Sequence, residues 1–383
     1  MMETLYDPLQ ELESFRELEE FVNTEHAVAL ASGCIDAQKS HIMSGLNKGK
    51  NSRLIVTYSE QRARELLQEY RFYNPQAVYY PARDILFYQS DIRGNALTQE
   101  RMAAYKGIFE QKYPVVITTM DALMEKLAGP DVMKNAILEI CPGQEIKLEQ
   151  LRRKLVQSGY EYEYQVQQPG QFAVRGGILD IYPLTGEAPC RIEFWGDEVD
   201  SVRSFDPESQ RSIETMDMVR IYPASELVLT EETLEKGLEK IKKEYEQLYQ
   251  SYRKSMKTEE AFRLKEHVEM IEEQLGEMKS LQGAETCLPY FYPDAVSLLD
   301  YFLGEDQGEK PLVFFDEPGR CFGRGESVMK EFSSGMEQRL EKGYILPGQM
   351  DVLFSLKTVL AKCEKMSTVL FSTLDYKTKE LEV

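Results

Sequence analysis

The period of apolar positions changes three times along the chain, and each change marks a different kind of structure. Up to about residue 135, short apolar runs alternate with amphipathic stretches. Residues 27–31 and 54–57 read as strands, the first leading into a glycine-containing turn. Ser59 is placed to cap a helix that turns Ala63, Leu66 and Leu67 inward and Arg62, Arg64, Glu65 and Gln68 outward. Residues 78–80 are extended and stop at Pro81, residues 98–111 are helical, and residues 115–118 form a buried-type strand. A helix through Ala122, Leu123 and Leu127 follows. Strands alternating with helices predict a parallel sheet covered on both faces.

After a helix near 148–158, the period falls to two over residues 161–223. Gln168-Pro169-Gly170, Gly176-Gly177 and Gly196-Asp197 supply the turns. The pattern predicts a small, mostly antiparallel sheet with a core of Phe172, Ile178, Leu179, Ile181, Ile192, Phe194, Val199 and Val202. Residues 230–281 are strongly helical. Leu234, Leu238, Ile241, Tyr245, Leu248 and Tyr252 recur at spacings of four and three. Thr258-Glu259-Glu260 reads as a fresh helix start, with a second stripe through Phe262, Val268, Ile271, Leu275 and Met278. Two such stripes predict a helical hairpin with one apolar seam, serving either as a packing connector or as a partner-binding coiled coil.

Past Leu288 the strand–helix alternation returns. An apolar strand at 312–315 ends in Asp316-Glu317, helical patterns cover 295–303, 327–340 and 349–361, and a last strand occupies 368–371. The return implies that the first and last parts share one architecture around an inserted β segment. The expected fold class is therefore multidomain α/β, divided at 1–135, 136–228 and 229–383.

Composition sharpens this picture. At 383 residues the chain is too long for one ordinary core. Its net charge is −20, from 45 basic and 65 acidic residues. Such a chain repels the phosphate backbone, which disfavours autonomous DNA binding but leaves room for a local basic patch. The six cysteines include no CxxC pair, and with three histidines no zinc site is expected. The acidic start and the lack of a long apolar run lead to the expectation of a cytoplasmic protein with no membrane partner.

Residues 27–40 read AVALASGCIDAQKS, a strand, a turn and a helix where a phosphate loop would sit. Gly33, Lys39 and Ser40 match the GxxxxGK[ST] template, but Gln38 replaces the second glycine, whose freedom lets backbone N–H groups curl around phosphate. Asp36 adds negative charge to that loop. Asp316 and Glu317, at the end of an apolar strand, suit the Walker B position, where an Asp would hold Mg²⁺ and a Glu would orient water; alone, they also fit a solvated strand end. The expectation is a relic nucleotide fold, with no catalytic residue, metal or cofactor of its own.

Residues 170–205 carry another kind of chemistry. Arg175 and Arg191 lie in separate strands, and Arg191, Glu193 and Trp195 alternate onto one face while Ile192 and Phe194 point to the core. The chain's single tryptophan thus sits beside an arginine on the polar side of its strand. Arginine and tryptophan dominate interface hot spots. The same residues also fit an indole covering an apolar gap beside ordinary surface ion pairs.

This block, GQFAVRGGILDIYPLTGEAPCRIEFWGDEVDSVRSF, resembles the second domain of UvrB-like proteins, a family that includes UvrB and the transcription-repair coupling factors. Tyr292-Pro293-Asp294 ahead of Phe315-Asp316-Glu317 and the degenerate loop at Gly33 extend the resemblance over nearly the whole chain. It implies a degenerate RecA-like (P-loop NTPase-like) domain split by the inserted β-rich module. It also implies UvrA as partner and Arg175, Arg191, Glu193 and Trp195 as the UvrA-docking residues, with tryptophan where phenylalanine is commoner. The broken phosphate loop, and a stretch after Tyr79 too short for UvrB's DNA-clamping aromatic hairpin, resemble the N-terminal region of the coupling factors.

That likeness implies a fragment of a longer protein, whose motor domains would bind ATP and Mg and whose other domains would reach RNA polymerase and DNA. A C-terminal domain would mask the docking face at rest. The expected function is recruitment of UvrA to stalled transcription complexes without catalysis. The alternatives are a nucleotide-dependent, UvrB-like DNA-remodelling domain with residual ATP binding, and a structural brake that uses the face only within the longer chain.

Overall fold

The computed structural model describes residues 5–24, 28–83, 94–276, 284–303 and 310–374. The strand start at Ala27, the stretch 84–93 expected to be too short for a hairpin, and the seam position Met278 lie outside them. In chain order the strands are β1 (Val28–Ser32), β2 (Arg53–Thr57), β3 (Val78–Tyr80), β4 (Val115–Thr119), β5 (Leu138–Ile140), β6 (Glu161–Tyr162) and β7 (Gln171–Arg175). They continue with β8 (Ile178–Ile181), β9 (Cys190–Trp195), β10 (Glu198–Phe205), β11 (Ser212–Thr215), β12 (Val219–Ile221), β13 (Leu312–Asp316) and β14 (Ser367–Ser372).

One six-stranded sheet runs β1-β14-β13-β2-β4-β3, parallel throughout. β13 and β14 enter it from the far end of the sequence and lie between β1 and β2, so both ends of the chain build one core. The central strands are apolar at consecutive positions because helices cover both faces. One face packs Leu54, Val56, Val313 and Phe315; the other packs Ile55, Ile117, Phe314 and Val369.

A separate six-stranded sheet runs β11-β10-β9-β8-β7-β6, antiparallel except for the β6–β7 pair. One face packs Phe172, Leu179, Ile181, Ile192, Val199 and Val202 against Leu151 and Leu155 of the helix Leu148–Gln157. Ile178 does not join them. Register pairs it with Arg175 and Glu193, which places it on the opposite face. Phe194 is half-buried at the margin of the core. β5 and β12 pair at the root of the module.

Helices Glu231–Lys254 and Thr258–Gly276 form the expected hairpin. Leu234, Ile241 and Tyr252 meet Ala261, Leu264, Val268, Ile271 and Leu275 along its seam. Phe262, expected in that seam, is 61% exposed. It lies one residue off the buried stripe, whose first member is the small Ala261. The helix expected over 295–303 is a short 3-10 turn, Leu298–Phe302, and the one over 349–361 resolves into the turn Pro347–Met350 and the helix Leu356–Cys363.

Module and parallel sheet meet at a buried polar knot. Glu226 accepts hydrogen bonds from Tyr80 (2.9 Å), Tyr105 (2.7 Å), Arg101 Nε (2.7 Å) and Arg83 Nε (3.0 Å). Arg101 also pairs with buried Glu125 at 2.9 Å. Two guanidinium groups face two carboxylates, so the charges balance where water is excluded. Among the described residues no helix is long and apolar enough to cross a membrane.

Candidate functional site

Two places hold the residues singled out from the sequence. The first is the carboxyl end of the parallel sheet, where open α/β sheets bind their ligands. β1 ends at Ser32, and Gly33 turns the chain at φ +77°, with open space where a side chain would begin. Residue 36 opens the helix Asp36–Gly45. Gln38 accepts a hydrogen bond from the Ile35 backbone N–H at 3.1 Å, so it caps its own helix where the missing glycine would have cradled phosphate.

Lys39 is fully buried and points at the chain's own carboxylates. Its Nζ lies 2.8 Å from Asp316 Oδ1 and 2.6 Å from Glu317 Oε1. Asp316 is completely buried, not solvated, and also accepts from Thr57 (3.1 Å) and Arg62 Nε (2.9 Å). Arg62 was expected to face outward; it turns inward because a buried carboxylate one strand away needs a cation more than water does. It also reaches Asp36 at 3.0 Å. Ser40 donates to Glu69 at 3.2 Å. Glu317 holds the left-handed backbone at φ +58° and also accepts from the Thr373 backbone N–H at 2.9 Å. Burial raises its pKa, but hydrogen bonds from Lys39 and Thr373 outweigh that and hold it below the ordinary value. Lys39 and Arg62 together thus balance the charges of Asp316 and Glu317.

The second place is the outer face of the module sheet. Strict alternation on β7, β8 and β9, together with their register, collects Arg175, Ile178, Asp180, Arg191, Glu193 and Trp195 on it. Gly176 makes the tight β7–β8 turn possible at φ +61°, which brings Arg175 and Asp180 together. Trp195 ends β9 with 84% of its surface exposed.

The two arginines are less free than their sequence spacing suggests. Asp180 is almost fully buried and holds both. Arg191 donates to it through Nε (2.7 Å) and Nη2 (2.9 Å), and Arg175 through Nη2 (2.8 Å). Arg191 also stacks over Phe205, 4.9 Å from the ring centroid, and keeps only 18% side-chain exposure. Arg175 keeps 44%. Glu193 accepts from Ser201 at 2.8 Å. The expected surface of paired positive charge is thus a surface of oriented guanidinium edges with one carboxylate built in beneath them. Asp180 was missed from the sequence. Its place in the apolar run Ile178–Ile181 was the available signal, since an acid among core positions needs a buried partner.

Comparison with known proteins places the module. Residues 138–227 match the UvrB interaction domain. The chain is 29% identical to the transcription-repair-coupling factor of Bacillus subtilis over 364 residues, which covers 94% of this chain and 30% of that protein. It is 30% identical to the UvrABC system protein B of Thermosipho africanus over 299 residues, 77% of this chain and 44% of that protein. Against the transcription-repair-coupling factor of a Staphylococcus aureus strain it is 31% identical over 269 residues, 68% of this chain and 23% of that protein. The chain therefore spans less than half the length of these curated relatives.

Proposed function

From a chain that carries a UvrB interaction domain at residues 138–227 and is similar to transcription-repair-coupling factors over 94% of its length, we propose a non-catalytic module that recruits UvrA. In this reading it links stalled RNA polymerase to nucleotide excision repair, with polymerase contact, DNA translocation and masking of the docking face supplied by other parts of a longer protein. The observation that carries it is the coincidence of that domain with a sheet face presenting the exposed Trp195 in line with Glu193 and Arg191, beside Arg175. An exposed indole next to oriented guanidinium groups suits a protein partner with apolar and acidic groups.

The parallel sheet is read as a degenerate RecA-like domain. Support comes from the loop after β1 meeting the end of β13 through Lys39 and Asp316. The same contact supports a non-catalytic role: a lysine bound to two carboxylates is not available to phosphates, and Asp316 is already saturated by Lys39, Arg62 and Thr57.

A pull-down and titration against UvrA tests the docking reading. The native chain is expected to bind, and Arg175→Ala and Arg191→Ala each to lose about 1–3 kcal/mol of binding. No binding by the native chain, or full affinity in both variants, would remove the proposal.

A further inference from the structure

The outer face holds a third arginine that the sequence pattern did not single out. Arg203 lies on β10 directly opposite Arg191 and therefore shares its face. Its situation differs from that of the other two. Asp180 takes Arg175 and Arg191 by hydrogen bonds, whereas Arg203 forms only a loose ion pair with Glu193 at 3.8 Å, beyond hydrogen-bond distance. Glu193 is itself engaged by Ser201. Arg203 Nε is buried and has no hydrogen-bond partner among the described residues, while the side chain remains 42% exposed. That Nε is closed to a partner as well as to water, but the exposed part of the side chain is open to a charge-assisted bond with an incoming carboxylate.

We propose that Arg203 is a further docking residue of this face and receives a carboxylate of the protein that seats there. The inference rests on the UvrA reading above and deepens it. Arg175 and Arg191 arrive with an acid already in place, so their exposed edges orient the partner. Arg203 holds only the loose pair with Glu193 and keeps donors for an incoming acid. The partner must then present an acidic side chain about one strand spacing, roughly 5 Å, from whatever meets Arg191.

The test uses the whole chain and titrates UvrA against the native protein, Arg175→Ala, Arg203→Ala, Arg203→Gln and Arg153→Ala. Arg153 is an exposed basic residue on the helix behind the sheet and controls for net charge. Arg203→Ala and Arg203→Gln are expected to weaken binding about tenfold or more, with Arg153→Ala unchanged. Both Arg203 variants should melt close to the native temperature, because the guanidinium makes no hydrogen bond within the described chain; Arg203→Gln keeps the aliphatic stem should the alanine variant fold poorly. Native-like affinity in the Arg203 variants, with Arg175→Ala still weakened, overturns the role of Arg203 and leaves the docking reading standing. Failure of the native chain to bind overturns both.

Discussion

Asp180 and Arg191 face one another across β8 and β9 and are joined by two nearly parallel hydrogen bonds of 2.7 and 2.9 Å, with the carboxylate buried and the guanidinium at the rim. This pair turns a strand pattern into a face of fixed geometry. Arg191 is fixed in direction before any partner arrives, so less side-chain entropy is lost on binding.

Replacing Asp180 by Asn should therefore act on both stability and binding. Two guanidinium groups lose their shared acceptor charge, and the fold is expected to lose about 1–3 kcal/mol in chemical denaturation. Simple electrostatics says that removing an acid strengthens attraction to an acidic partner. The pairing geometry says the reverse: affinity for UvrA should fall, and a rise would show that orientation counts for little.

Arg191→Ala and Arg175→Ala should differ in their effect on the fold. Arg191 is mostly covered and stacks on Phe205, so its removal also costs packing. Arg175 is nearly half exposed and makes one bond to Asp180. Thermal melts should show Arg191→Ala as the less stable variant by about 1 kcal/mol; equal melts would contradict the assigned packing.

Trp195 offers a direct optical reading, because it is the only tryptophan in the sequence. Exposed in the free chain, it should emit as an indole in water and shift to the blue when UvrA covers it. Trp195→Ala should melt like the native protein and bind UvrA weakly. An unchanged emission spectrum at saturating UvrA would place the indole outside the interface.

Lys39→Met addresses the loop after β1. The buried Asp316 would retain Arg62 and Thr57 but lose one of its two cations, for a loss of up to about 3 kcal/mol. Mg-ATP should leave the melting temperature of both native and variant chains unchanged. Saturable stabilisation of the native chain that disappears in Lys39→Met would instead assign the lysine to phosphates.

The knot at the module root sets a pH response. Burial raises the pKa of Glu226, but Arg101 and Arg83 outweigh it and hold the carboxyl far below the ordinary range. A depressed carboxylate contributes stability that is complete above its unfolded value, about 4.3, and is lost as pH falls toward the folded value. Glu125 contributes with the opposite sign: burial raises its pKa, so its share is lost as pH rises through the folded value. The Glu226 contribution, with four donors on one carboxylate, should dominate below about pH 4. The native chain should then destabilise steeply in acid, and Glu226→Gln should flatten that slope while costing about 3–5 kcal/mol at neutral pH.

The sequence alone determined the strands of the parallel sheet, the two periods, the hairpin and the insertion of a β-rich module into an α/β scaffold, because apolar periodicity reflects which face of each element is buried. It also determined that Arg191, Glu193 and Trp195 share a face, since alternation is a local rule. It could not decide what each charge would meet. Arg62 sits at an outward-looking helical position, yet it turns to Asp316, which is 254 residues away. Lys39 matches a phosphate-loop lysine, yet it closes on the far strand. Asp180 and Arg203 acquire their neighbours from register with β9, and Glu226 from four donors brought to it by the parallel sheet. The energy of a buried charge depends on partners assembled from distant segments, so only the tertiary structure could say which groups are already paired and which remain open to a partner.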